Sequence, residues 1–186
     1  AIKCFQQAIQ KPWRNNDQRM VRTYGMHVID YFPHRELGII HYFMGNFIRS
    51  REELKLSISQ ESSEKAKFYL DKVRKSLMII QQQIVSTPQI TLDSTNSATL
   101  WTNDYPVCIS GNAIDSQYIC KLTIADQAVF MENASQQIEF SHSLNLEPGC
   151  HKISIHAENL LNGKNTLNLV IHVDRTGPVI MLDKIH

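Results

Sequence analysis

The sequence predicts a multidomain α + β protein, with a helical module followed by an antiparallel β-sandwich, joined near Thr87–Pro88. Three observations carry this. Apolar residues recur at helical spacing up to about Ser86, and short alternating runs replace them after Pro88. The charge also changes sign: residues 1–86 hold 14 Lys/Arg against 8 Asp/Glu, and residues 87–186 hold 5 against 10.

Four segments of the first module have helical periodicity. Ala1–Gln10 carries Ile2, Phe5 and Ile9 on one stripe, and Lys11–Pro12 ends it. A second helix is expected from Asp17, as N-cap, to Tyr31, with Val21, Tyr24, Val28 and Tyr31 aligned. A third starts near His34 and carries Leu37, Ile40, His41, Met44, Phe47 and Ile48. Ile48–Lys65 then reads as an insertion with a charged run at Arg49–Lys55. The fourth helix opens at Ser62/Ser63, with Ala66, Leu70, Val73, Leu77, Ile80 and Ile84 on one stripe.

In the second module, strands are expected at Gln89–Leu92, Pro106–Ala113, Tyr118–Ile124, Ala128–Glu132, Gln137–His142, His151–Ala157 and Thr166–Val173. Turn residues separate them at Asp115–Gln117, Asp126–Gln127, Glu147–Gly149 and Asn162–Lys164. Seven short strands without a helix read as a sandwich.

Two resemblances follow from particular residues. Ala1-x3-Phe5-x2-Ala8-x3-Pro12 and Leu37-Gly38-x2-His41-x3-Gly45-Asn46-Phe47 resemble the helices of tetratricopeptide repeats, and Thr23-Tyr24-Gly25-x2-Val28 is similar to a fainter copy. The resemblance implies that residues 1–86 form TPR-like helical hairpins, the C-terminal end of a longer array capped by the fourth helix. Pro88–Leu92, Val107–Asp115, Leu146–Ile153, Ala157–Asn159 and Val173–Pro178 resemble bacterial Ig-like modules of the glucodextranase B-domain type. That resemblance implies an Ig-like sandwich over residues 87–178, with Val179–Asp183 in a further module or tail over 179–186. It also implies an exported or cell-envelope setting in a bacterium, in the periplasm, at the outer membrane or outside the cell.

Cys108, Cys120 and Cys150 fall at strand positions. A Cys108–Cys120 or Cys120–Cys150 disulfide is open if the chain is exported, and buried free thiols are the alternative. No GxSxG, HExxH or P-loop pattern is present, so no catalytic residue and no cofactor is expected. His27, His34 and His41 recur every seven residues, but Pro33 breaks the helix between the first two, and no metal site is expected. Asp104, Asp115 and Asp126 read as turn residues, with calcium the minor alternative. The basic residues are spread rather than clustered, so nucleic acid is not an expected partner. No apolar run is long enough for a membrane-spanning helix.

Protein or peptide binding is the expected function, through Tyr24, His27, Tyr31, His41 and Tyr42 lining the inner helices of a solenoid. The reading is of a non-catalytic scaffold fragment cut from a longer protein. Its alternative is an accessory spacer or carbohydrate-binding region of a secreted enzyme whose catalytic domain lies elsewhere.

Overall fold

The computed structural model describes residues 2–10, 15–93 and 98–177, apart from the side chains of Ile2 and Ala8. The expected stop at Lys11–Pro12 and the strand at Val179–Asp183 lie outside these residues. The chain divides into two compact units. One comprises Ala1–Ser86 with Met131–Ser135 and Leu160–Asn162, and the other holds the remainder.

The first unit contains α1 (Ile2–Ile9), β1 (Gln18–Arg22), β2 (Val28–Tyr31), α2 (Pro33–Phe43), α3 (Phe47–Gln60) and α4 (Glu64–Ile80). Ser63 is extended and its hydroxyl accepts from the Ala66 amide at 3.3 Å, capping α4. The α4 stripe of Ala66, Leu70 and Val73 closes a core with Ile39 of α2 and Leu54 of α3. The helix stops at Ile80, so Ile84 is exposed rather than part of the stripe.

The helix expected over Asp17–Tyr31 is a β-hairpin instead, with Gln18 opposite Tyr31 and Arg22 opposite Val28. Val21, Tyr24, Val28 and Tyr31 match a helical period only by coincidence. β-Branched and aromatic residues suit strands, and Gly25, at φ +72°, makes the turn. The fainter repeat copy at Thr23–Val28 is therefore the hairpin tip. Asp17 is a helix cap, but of a different helix. Its carboxylate accepts from the amides of His34 (2.9 Å) and Arg35 (3.1 Å), the first turn of α2.

Residues 47–60, expected to fall largely in an insertion, form α3. Its buried stripe is Ser50, Leu54 and Ser57, polar enough to hide the helical period, and the charged run 49–55 lies on the same helix. Gly38 explains the small residues. A Cβ there would sit 2.7 Å from Leu54 Cγ, and Ser50 Oγ donates to the Gly38 carbonyl at 2.7 Å. Helices α2 and α3 thus approach at Gly38. Gly45, at φ +77°, ends α2: its amide donates to Tyr42 O and that of Asn46 to His41 O, a Schellman closure.

The sandwich contains β3 (Gln89–Leu92), β4 (Thr99–Thr102), β5 (Val107–Ile124), β6 (Gln127–Ala128), β7 (Ser135–Leu144), β8 (Gly149–Asn159) and β9 (Lys164–Val173). Two expected strands are one. β5 runs through Asp115–Gln117 without a turn, and Tyr118 at φ +61° with a bulge between Ile119 and Lys121 redirects it. Its buried positions shift there from odd (Val107, Ile109, Ala113, Ile119) to even (Leu122, Ile124). The first half of β5 pairs with β3 and lies beside β7, where Gln136 Nε2 donates to Ser116 O at 3.0 Å. The second half pairs with β6 and β8, and β8 pairs with β9 over ten residues. β4, which the alternation did not reveal, pairs parallel with β9. The β6 segment is two residues, not Ala128–Glu132. Ile153, Ile155, Leu169, Ile171, Phe140 and Leu144 complete the buried core of an Ig-like β-sandwich.

Candidate functional site

The five residues expected on one concave helical face occupy two different settings. Tyr24, His27 and Tyr31 belong to the β1–β2 hairpin, where Tyr24 is 96% exposed at the tip. His41 is buried in α2, and its Nδ1 has no hydrogen-bond partner among the described residues. Tyr42 is half-buried and packs edge-on against Phe43, Phe47 and Tyr69, with ring centroids 5.4, 5.8 and 5.7 Å away. His41 thus lies inside the helix packing and Tyr42 in a half-buried aromatic cluster, whereas Tyr24 of the hairpin is exposed.

The hairpin forms an open cup of about 530 Å³, with Val21, Tyr24, Ile29 and Tyr31 as its apolar wall and Gln18 and Arg22 on its rim. Beside it Met20, Met26 and Val28 are also exposed. A two-stranded ribbon has little stability of its own, and a polar clasp fixes its base. His34 holds Glu53 Oε2 at 2.6 Å through Nδ1, and the carbonyl of Asn15 at 3.0 Å through Nε2. Gln60 donates to the same carbonyl at 3.2 Å and accepts from the Asp17 amide at 2.8 Å. Arg19 adds an ion pair to Glu61 at 3.2 Å.

Both ring nitrogens of His34 thus face oxygen acceptors, and only the imidazolium can donate to both. Burial by itself disfavours that charge. The hydrogen bonds to Glu53 and to the Asn15 carbonyl, with the charges of Glu53 and Asp17, outweigh it and raise the His34 pKa above its ordinary value. Periodicity could not show this site, because Asn15, Asp17, Glu53 and Gln60 come together only when the hairpin folds back on α2 and α3.

The disulfide expectation fails on geometry. No disulfide joins the four cysteines, and all four are exposed rather than buried. Cys108 and Cys120 lie on the same extended strand, so about 40 Å of chain separates them, far beyond the reach of an S–S bond. Asp115 is not a turn residue but is buried in the sandwich. There its carboxylate accepts from the Gln117 amide (2.8 Å) and from Asn159 Nδ2 (2.9 Å), and Asn159 Oδ1 accepts from the Gly163 amide at 2.7 Å. These bonds satisfy Asp115 within the protein, as a structural role requires. Among the described residues no group of three His, Cys, Asp or Glu is placed to hold a metal ion.

No family model and no curated protein matches the chain. Among solved structures it is similar to the fibronectin(III)-like modules of Clostridium thermocellum CbhA. That likeness has 15% identity and a TM-score of 0.36, over 54% of this chain and 55% of that one. It is also similar to SGBP-B of the Bacteroides ovatus mixed-linkage glucan utilization locus, solved in complex with a mixed-linkage heptasaccharide. There the identity is 16% and the TM-score 0.31, over 48% of this chain and 24% of that one. The chain spans about half the length of the first and a quarter of the second.

Proposed function

We propose that this chain is a non-catalytic interaction and scaffold region of a larger exported or cell-envelope bacterial protein. In this reading the helical unit binds a protein partner and the Ig-like sandwich acts as its spacer. The observation that carries it is the hairpin: an apolar cup that the fold leaves open while clasping its base. Exposed apolar patches rimmed by polar groups mark interaction sites. Residues 1–86 carry an excess of six positive charges, which suits a partner segment of aromatic or aliphatic residues flanked by Asp and Glu.

The TPR-like character of the helical unit is part of the proposal. It is supported by the α2–α3 approach at Gly38, Ser50 and Leu54, and by the succession of α2, α3 and α4 around one core. The exported setting is supported by the residues that resemble bacterial Ig-like modules.

A displayed peptide library panned on the whole chain tests the binding role. Enrichment of apolar cores with acidic flanks, lost in Tyr24→Ala and in Ile29→Ser with unchanged circular dichroism, is the expected result. Failure to enrich any such sequence, or enrichment indifferent to both substitutions, would reject it.

A further inference from the structure

The sandwich carries a second surface of different chemistry. Across β4, β9 and β8, Trp101, His172 and Cys150 stand opposite one another, and cross-strand partners share a face. The Trp101 indole lies on the His172 imidazole, with centroids 4.0 Å apart and planes 12° from parallel. One ring face is thereby backed and held, yet Trp101 remains 70% exposed. An exposed indole costs a folded protein solubility, and stacking that holds it flat prepares it to receive a second ring.

Apart from Val170, the rest of that face is polar. Thr99 and Lys152 flank Val170 in the next row, then come Asn168 with Ser154, then Thr166 with His156 and Thr123. Rows two residues apart are spaced by about 7 Å, so the His156 row lies about 20 Å from the indole. There an open cleft of about 400 Å³ is lined by donors and acceptors, including Lys121, Thr123, His156, Glu158 and Lys164. His156 Nδ1 already meets Thr166 Oγ1 at 2.7 Å, which orients the imidazole.

We infer that this face binds an extended, uncharged oligosaccharide, with one pyranose ring stacked on Trp101 and the following hydroxyls reaching towards the His156 cleft. A pyranose presents a flat array of C–H bonds to an indole face and a rim of hydroxyls to its surroundings, and this surface pairs those two needs. On the face itself Lys121, Lys152 and Lys164 stand with Asp126 and Glu158, so no single sign of charge prevails there, while the 10 Asp/Glu against 5 Lys/Arg of residues 87–186 oppose the approach of a polyanion. A greasy peptide would leave the polar rows unmatched. The inference does not depend on the hairpin's partner, since the two surfaces share no residue.

Trp13 and Trp101 are the two tryptophans of the chain, so Trp13→Phe leaves a single indole reporter. Fluorescence of this variant is titrated with cellohexaose, laminarihexaose, xylohexaose and mannohexaose, with polygalacturonate as the anionic comparison. A saturable change with at least one neutral hexasaccharide is expected. Calorimetry on the otherwise native chain should then show affinity falling about tenfold or more in Trp101→Ala, less in His172→Ala and His156→Ala, and unchanged in Tyr24→Ala. Three outcomes overturn the inference: no response to any neutral hexasaccharide, response to polygalacturonate alone, or an affinity that Trp101→Ala leaves intact. Loss of peptide binding in Tyr24→Ala, with sugar binding kept, separates this inference from the proposed function.

Discussion

The two units solve the burial problem differently. Among the described residues, fourteen large apolar side chains are exposed between Met20 and Val85, and only four lie beyond Thr87: Trp101, Tyr105, Ile114 and Phe130. The sandwich folds its alternating strands on one another and keeps the apolar half inside. The helical unit builds its core from one stripe each on α2, α3 and α4, and leaves apolar side chains such as Ile48, Phe68 and Ile80 uncovered. The lesson is that an apolar residue has different weight in each unit. In the sandwich it is mostly inside, whereas on the helical unit it is often at the surface.

Substitutions can break or sharpen that contrast. The largest effect is expected in the two cores. Leu54 and Ile155 are both wholly buried, so Leu54→Ala and Ile155→Ala should each cost about 2–5 kcal/mol in urea unfolding. Next comes Asn159→Ala, which strips a partner from the buried Asp115 carboxylate and from the Gly163 amide. It should cost about 1–3 kcal/mol by the same measurement.

The His34 clasp gives a pH signature to the helical unit alone. Because the folded-state pKa is raised, its stabilisation is complete below the unfolded value of about 6.5 and is lost as pH rises through the folded value. The helical far-UV signal should therefore unfold at lower urea as pH climbs above neutrality, and His34→Gln should flatten that dependence. A smaller change is expected at the α4 terminus, where Gln82 sits at φ +51° in the position glycine prefers. Gln82→Gly should gain about 1 kcal/mol in the same assay. Tyr24→Ala should shift stability by no more than about 0.5 kcal/mol, since it removes a side chain that nothing in its own unit covers.

Legibility divided instead between local and long-range rules, in both units. The first strand, Gln89–Leu92, and the Ser63 cap stand where the sequence places them, because alternation and capping are local rules. The hairpin was hidden because four apolar residues matched a helical period by chance, and α3 because its buried stripe is Ser50, Leu54 and Ser57. In β5, Asp115 and Gln117 mimic a turn, and only their buried hydrogen bonds show why a strand tolerates them. Of the nominated binding residues, Tyr24 and Tyr31 reached a common surface, on a ribbon rather than on helices. Trp101 has no local signal in the sequence, because β4 is four residues long and its partner strand lies some 70 positions away.

The parallel pairing of β4 with β9 has a mechanical consequence. One strand lies near the entry of the sandwich and the other near its exit, and they run in the same direction. Tension along the chain would draw them past each other lengthwise. The bonds from Val170 N to Ala98 O and from Asp174 N to Thr102 O, at 2.8 and 3.0 Å, would then share the load at once instead of opening in turn. That sharing would follow from the direction of the two strands, not from the length of β4, and it would begin only once the pull had passed β3.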